Sequence, residues 1–179
     1  MKHTHIEEHH DHDGGKPHDT SNRKRNIIIA GLTSGHGIFH WFIQSFFVLL
    51  PEVESAFNLS KVGVGAISTT RETISGLVTL PGGILADVLR RHWGLILALC
   101  MAGFGVGWLI VGQSSSFAIL IVGVAIVSIA ASMWHLPAMA SLSHHYSHRR
   151  ATALSFHGIG GNIGDAISPV VTGFLLGFL

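Results

Sequence analysis

The chain has 179 residues, of which 47% are hydrophobic and only 12% are charged, and its mean hydropathy is +0.47. A soluble domain carries about 25% charged residues, so this composition excludes an ordinary soluble protein and favours one that lies in a bilayer. The formal net charge of +1 and the single cysteine argue against a nucleic-acid-binding surface, a disulfide framework and a cysteine-based metal site.

The chain begins with a polar tail, residues 1–25, in which histidines alternate with acidic residues. These histidines are His3, His5, His9, His10, His12 and His18. Imidazole and carboxylate groups suit zinc, copper and nickel. Because the tail lacks apolar periodicity and contains "DGGKP", we expect it to be disordered, and either to bind divalent metal ions weakly or to be a solvated tail without such a role. We expect no cofactor for the chain.

Five apolar segments follow the tail, each long enough to cross a bilayer, which takes about 20 residues of helix. They span residues 27–50, 62–86, 93–112, 117–141 and 151–179. The sequence therefore predicts an all-α integral membrane protein, with transmembrane helices 1–5 in residues 26–179. An even number of helices is more usual for a multi-pass membrane protein, so we expect a longer parent protein.

The basic residues of the connections fall on one side of the predicted membrane. They are Arg23, Lys24 and Arg25 before the first segment, Arg90 and Arg91 after the second, and Arg149 and Arg150 before the fifth. Because cytoplasmic loops are rich in Lys and Arg, we expect a multi-pass protein of the cell (inner) membrane with a cytoplasmic N-terminus.

Several polar side chains interrupt the apolar segments, and lipid does not tolerate such groups unless they face protein or water. They are His36, His40, Gln44, Arg71, Glu72, His135, His157, Asn162 and Asp165. We predict that they form a pathway for substrate or protons, although hydrogen bonds between helices would also explain the histidines. Arg71 is expected to pair with Asp165 or to bind an anion, and whichever of Glu72 and Asp165 is not paired with Arg71 is the expected proton carrier.

Glycines are concentrated in the fifth segment, at Gly158, Gly160, Gly161 and Gly164. The spacing of Gly160 and Gly164 is that of a GxxxG pair, which lets two membrane helices approach closely. We predict that these four glycines pack against another helix.

The stretch "GGILADVLRRH" resembles the cytoplasmic signature between the second and third helices of the major facilitator superfamily. Gly83, Leu85, Ala86, Asp87 and Arg91 match that signature, while Arg90 stands where glycine is usual. The resemblance implies that Gly83, Asp87, Arg90 and Arg91 form a cytoplasmic gating loop.

Two longer stretches resemble the fosmidomycin-resistance-type efflux proteins of that superfamily, namely "SGHGIFHWFIQSFFVLLPEVESAFNLS" and "MWHLPAMASLSHHYSHRRATALSFHGIGGNIGDAISP". The resemblance implies the N-terminal half of a twelve-helix antiporter that exports small organic compounds or drugs by alternating access, driven by protons. Nothing in the sequence indicates an enzyme.

Two alternatives to this function stay open. One is an exporter of divalent metal ions that uses the histidine-rich tail, and the other is a membrane scaffold that does not transport. The expected partners are the lipid bilayer, a small-molecule substrate, protons, and a missing C-terminal half or another transporter chain. Nucleic acid is not expected.

Overall fold

The computed structural model describes residues 17–178, with side chains described from residue 22 onward. Five long helices follow one another as α1 (Pro17–Ala56), α2 (Lys61–Val88), α3 (Trp93–Gly112), α4 (Phe117–His145) and α5 (Arg150–Leu176). Short 3₁₀ turns, Arg90–His92 and Ser147–Arg149, precede α3 and α5. No strand occurs within residues 17–178, which confirms the predicted all-α fold.

Within residues 17–178, three parts of the chain are long and apolar enough to cross a membrane by length and composition, namely Arg90–Gly112, Phe117–His145 and Ser147–Leu176. The helices α1 and α2 are long enough as well, but polar side chains interrupt their apolar runs. These are the histidines and Gln44 in α1 and the Arg71–Glu72 pair in α2. The five predicted segments thus correspond to five helices, three of which have the composition of a membrane span.

The first helix is longer than predicted at both ends. It begins at Pro17, so residues 17–25, which we expected to belong to a disordered tail, are helical. Proline suits the first position of a helix, and lengthening an existing helix costs far less free energy than starting one. The helix also continues through Pro51 to Ala56. At 40 residues it is about 60 Å long, twice the thickness of a hydrocarbon core.

Most of the histidine-rich tail lies outside the described residues. This holds for His3, His5, His9, His10 and His12, and the side chain of His18 is likewise not described. The expected weak metal binding by the tail therefore stays a prediction.

A tight turn joins α1 to α2. Asn58 has a positive φ of 47°, which asparagine tolerates better than most residues. Ser60 then caps α2, because its hydroxyl accepts a hydrogen bond from the N–H of Gly63 over 3.2 Å. An ion pair between Lys61 and Glu54 crosses the same turn. These local bonds turn α2 back along the bundle.

The helices α1 and α5 run parallel and touch through glycine. A Cβ atom added at Gly160 would collide with the backbone oxygen of Thr33, and one added at Gly164 would collide with that of Gly37. This is the close packing that we predicted from the GxxxG pair. An added Cβ at Gly158 meets nothing within 4 Å, so Gly158 does not belong to this interface, contrary to prediction.

The helices α3 and α4 pack antiparallel in a similar way. Gly107 of α3 faces Val127 of α4, and Gly123 of α4 faces Val111 of α3, with an added Cβ 2.7 and 2.8 Å from the valine methyl groups. Membrane helices associate through such close van der Waals contact, because lipid tails are as apolar as the side chains and the hydrophobic effect does not drive the helices together.

An aromatic core joins the two pairs of helices. Phe39 of α1 is fully buried, and its ring centre lies 4.1 Å from that of Phe104 in α3 and 4.9 Å from that of Trp134 in α4. A second apolar cluster, which includes Phe46, Ile67, Leu120 and Val124, links α1, α2 and α4. Since α2 also packs along α4, the polar faces of α1, α2, α4 and α5 are turned towards one another.

We expect Gly164→Ala to lower the free energy of unfolding by about 1–3 kcal/mol, because the new methyl group collides with the α1 backbone. The matched control is Gly158→Ala, which has open space. That change should be neutral or slightly stabilising, since alanine is the better helix former by about 1 kcal/mol. Thermal unfolding of both variants in lipid nanodiscs measures the difference, and equal effects would contradict the proposed interface.

Candidate functional site

Four predicted pathway histidines form one cluster between α1, α4 and α5. His36 is at its centre, with its ring centre 4.4 Å from that of His40, 4.9 Å from that of His135 and 4.0 Å from that of His157. The rings of His36 and His157 are parallel, while those of His40 and His135 stand almost perpendicular to His36. Residues 121 positions apart in the chain thus stack face to face.

Three of these rings are held by hydrogen bonds at Nδ1. The Nδ1 atom of His36 lies 2.7 Å from the carbonyl oxygen of His157. That of His135 lies 2.7 Å from the carbonyl oxygen of Ala131, one turn earlier in α4. That of His40 lies 3.0 Å from a carboxylate oxygen of Asp165. Each partner is an oxygen acceptor, so each ring is oriented by donating from Nδ1.

Glycine makes room for the cluster. A Cβ added at Gly161 would lie 2.8 Å from Cε1 of His36 and 3.2 Å from Cδ2 of His40, and one added at Gly35 would lie 2.8 Å from the ring of Trp134. Even alanine at Gly161 would displace the imidazoles. We predicted that Gly161 packs against a helix, and its neighbours are in fact the two histidine rings of α1.

A cavity of about 530 Å³ opens beside the cluster, lined mainly by α1, α2 and α4. Five residues of the predicted pathway line it, namely His40, Gln44, Arg71, His135 and Asp165. Hydroxyl groups that we did not predict line it as well, from Ser68, Ser75, Thr79, Ser128 and Ser132. The cavity therefore combines two charged side chains with neutral hydrogen-bonding groups, surrounded by apolar residues.

The predicted partner of Arg71 is wrong. We expected Arg71 to pair with Asp165 or to bind an anion, but the guanidinium lies 3.4 Å from the carboxylate of Glu72. It also lies 5.1 Å from the ring centre of Phe47, as in a cation–π contact. Adjacent positions on a helix point in different directions, but the arginine side chain is long enough to bend and reach the carboxylate of the next residue. Asp165 pairs with His40 instead.

Four predicted pathway residues do not line the cavity, and one of them is His36, the centre of the histidine cluster. Glu72 is 70% exposed on α2, and Asn162 is exposed on α5. His157 is buried behind His36, and neither of its ring nitrogens has a hydrogen-bond partner among the described residues. Of the two carboxylates expected to carry protons, Asp165 is therefore the one at the cavity.

A set of hydrogen-bonded hydroxyl groups next to Asp165 was not predicted from the sequence. The hydroxyl of Ser168 lies 2.8 Å from that of Ser45 and donates to the carbonyl of Trp41 over 3.0 Å. Thr172, one turn further, donates to Ser45 over 2.9 Å. The spacing of Ser168 and Thr172 signals a shared helix face, but serine and threonine are too common in membrane helices to single out.

The basic residues gather at one end of the bundle. Tyr146, beside Arg149 and Arg150, donates to the backbone carbonyl of Arg25 over 2.8 Å, and His144 stacks edge-on with Trp93, beside Arg90 and Arg91. The presence of the basic residues at one end of the bundle is the feature from which we predicted the orientation of the chain in the membrane.

In the predicted gating loop, Asp87 pairs with Arg90 over 3.3 Å. Both side chains are about 70% exposed, and Arg91 is exposed as well. Gly83, the first residue of the loop signature, has open space around it. The loop's charges therefore face outward, where another chain segment can reach them.

Comparison with known proteins gives two findings. The sequence profile of the Major Facilitator Superfamily matches residues 32–179. The chain is similar to the fosmidomycin resistance protein of Escherichia coli (strain K12), with 23% identity over 163 residues. The match covers 90% of this chain but only 40% of that relative. No solved structure shows a significant match.

We expect Ser168→Ala to lower the free energy of unfolding by about 0.6 kcal/mol, the average for a hydrogen bond between membrane helices, and by about 1.7 kcal/mol at most. Ser168 is fully buried and binds α1 twice, so its loss loosens α5 beside Asp165. Ser155→Ala on the same helix is the control, because that exposed hydroxyl bonds only to its own helix. Chemical denaturation in detergent micelles compares the two, and a difference below about 0.3 kcal/mol would contradict the prediction.

Proposed function

Because the chain belongs to the Major Facilitator Superfamily of membrane transporters, we propose that it forms part of a proton-coupled antiporter that exports small organic compounds by alternating access. Proteins of this family cross the membrane several times and are not enzymes. They generally work without a cofactor. The chain spans about 40% of the length of the relative that it matches, so export by the whole protein is a proposal.

The cavity is the observation that carries this proposal. Its volume of about 530 Å³ falls within the range of small-molecule sites, which are mostly apolar with a few placed polar groups. It is bounded by helices of a membrane bundle, where secondary transporters hold their substrates. Arg71 and Asp165 give it one charge of each sign, and the serine hydroxyls offer hydrogen bonds without charge.

We also propose that export is coupled to the movement of protons. An ionisable residue within a membrane span is costly and usually marks an ion path. Asp165 is 46% exposed at the cavity, and among the residues that the structure describes its ion-pair partner is His40, not an arginine. We propose that it lies on the path of the coupling ion, together with its partner His40.

We further propose an orientation in the membrane and a partner for the chain. The basic end of the bundle supports a cytoplasmic N-terminus in the inner membrane. The exposed Asp87–Arg90 pair supports a gating contact with a second transporter half. That half would come from the same protein or from another chain.

Export of divalent metal ions is a second candidate. The observation that favours it is that His36, His40 and His135, all residues of the predicted pathway, lie close enough to hold one ion. The tail histidines would then supply ions to the cytoplasmic entrance.

We expect Ser68→Trp to reduce export strongly while leaving the fold intact, because Ser68 lines the cavity and an indole ring there occupies part of the space for substrate. The control is Ala102→Trp on α3, an exposed position away from the cavity. Both variants are compared for expression, thermal unfolding and probe export from cells. Undiminished export by Ser68→Trp would show that the substrate uses another route.

We expect an imposed pH gradient to drive efflux of the organic probe from proteoliposomes. The protein is purified from its own membrane with any chain that accompanies it, and fosmidomycin is the first probe because of the relative's name. Collapsing the gradient with a protonophore should stop efflux. Efflux of Zn²⁺ but not of the probe would favour the metal exporter, and no efflux of either would favour the non-transporting scaffold.

A further inference from the structure

The geometry points to a binding site for a divalent transition-metal ion of the zinc type, held by His36 and His40 of α1 and His135 of α4. Each of the three residues offers one ring nitrogen, and these nitrogens lie within 4.8 Å of one another. These three residues are distinct from the tail histidines, which all precede residue 19. It also stands independently of the transport proposal, because metal binding is measured at equilibrium without a gradient.

The hydrogen bonds determine which nitrogen is free to bind. Nδ1 of His36 and Nδ1 of His135 each face a backbone carbonyl, and Nδ1 of His40 faces a carboxylate. An oxygen acceptor requires the proton to be on Nδ1, which leaves the lone pair on Nε2. All three rings are therefore in the tautomer that a metal ion needs, with Nε2 as the ligand atom.

The partners behind the rings are those found at protein metal sites. A histidine ligand usually donates its other N–H to a carboxylate or a backbone carbonyl, which fixes the ring and strengthens its nitrogen as a ligand. The Asp165–His40 pair, at 3.0 Å, has the form of a carboxylate–histidine–metal relay. The carboxylate also offsets part of the charge that the ion brings into a site of neutral imidazoles.

Packing and hydrogen bonds keep the rings close together. Metal–nitrogen bonds of about 2.0–2.1 Å place tetrahedral ligand atoms about 3.3 Å apart, so the rings must rotate inward when an ion binds. Gly161 provides the space on the α5 side, and Trp134 and His157 stack along His36.

The fourth coordination position opens towards the cavity, because His40 and His135 both line it. Three protein ligands with an open fourth position are typical of a zinc site that binds water or another molecule. The cationic Arg71 lines the same cavity, where it would favour an anionic group at that fourth position.

The ligand chemistry selects the kind of ion. Imidazole nitrogens suit Zn²⁺, Co²⁺, Ni²⁺ and Cu²⁺, whereas Mg²⁺ and Ca²⁺ prefer oxygen ligands. We therefore expect the site to bind Zn²⁺ and to ignore Mg²⁺ at the same concentration.

The test uses the full chain in lipid nanodiscs, with the six tail histidines changed to alanine so that their imidazoles cannot bind the added metal. Those positions are 3, 5, 9, 10, 12 and 18. Co²⁺ is added alone, and we expect the strong visible absorption of a tetrahedral cobalt site at one ion per chain. Zn²⁺ should abolish this absorption by displacing Co²⁺, and Mg²⁺ should not.

Variants then identify the ligands. His40→Asn and His135→Asn keep a donor near the position of Nδ1 and remove Nε2, and each should lower Zn²⁺ affinity at least 100-fold. Asp165→Asn should lower it 10–100-fold, as changes to such supporting groups do. His144→Asn, at the exposed end of α4, is the control and should bind as before.

Two results would overturn the site. One is the absence of tetrahedral cobalt absorption in the protein with the altered tail, a result that does not depend on the folding of any cluster variant. The other is unchanged Zn²⁺ affinity in His40→Asn and His135→Asn. X-ray absorption of the zinc-loaded protein provides a further check, since it should detect three imidazole ligands.

Discussion

The close approach of α1 and α5 is the constraint on which the rest of the site depends. Gly37, Gly160 and Gly164 let the two backbones touch, and only at that distance does the carbonyl of His157 reach the ring of His36. The same contact brings Asp165 to His40. In a bilayer, where apolar surface gains little by leaving lipid, such contacts and the hydrogen bonds they allow hold the helices together.

Some residues of this bundle therefore serve both the packing of the helices and the histidine cluster. Gly161 belongs to the glycine series of α5, yet what it accommodates is a pair of imidazole rings. Trp134 packs on Phe39 in the apolar core and also stacks along His36. A change at either residue would disturb both the core and the cluster, so tests of function need controls such as Gly158 that touch neither.

Much of the fold could be predicted from the sequence, because long apolar runs and short polar connections determine where membrane helices form. The helix ends were less predictable, as residues 17–25 show, since a polar stretch can continue a helix that its apolar neighbours already form. The polar pathway residues were recognisable by their cost in lipid. Which of these residues contact one another could not be predicted. The flexible side chain of Arg71 pairs with Glu72, its neighbour in the chain, and not with Asp165.

The sequence by itself determined that this is a helical membrane protein of the transporter type and that its histidines, Arg71 and Asp165 stand out from an apolar background. Only the tertiary structure decided that His36, His40 and His135 converge, that each donates from Nδ1, and that Asn162 and Glu72 lie away from the cavity. The physical reason is that helical periodicity fixes the face of each residue on its own helix. The rotation and depth of one helix against another depend on side-chain packing, which no single segment contains.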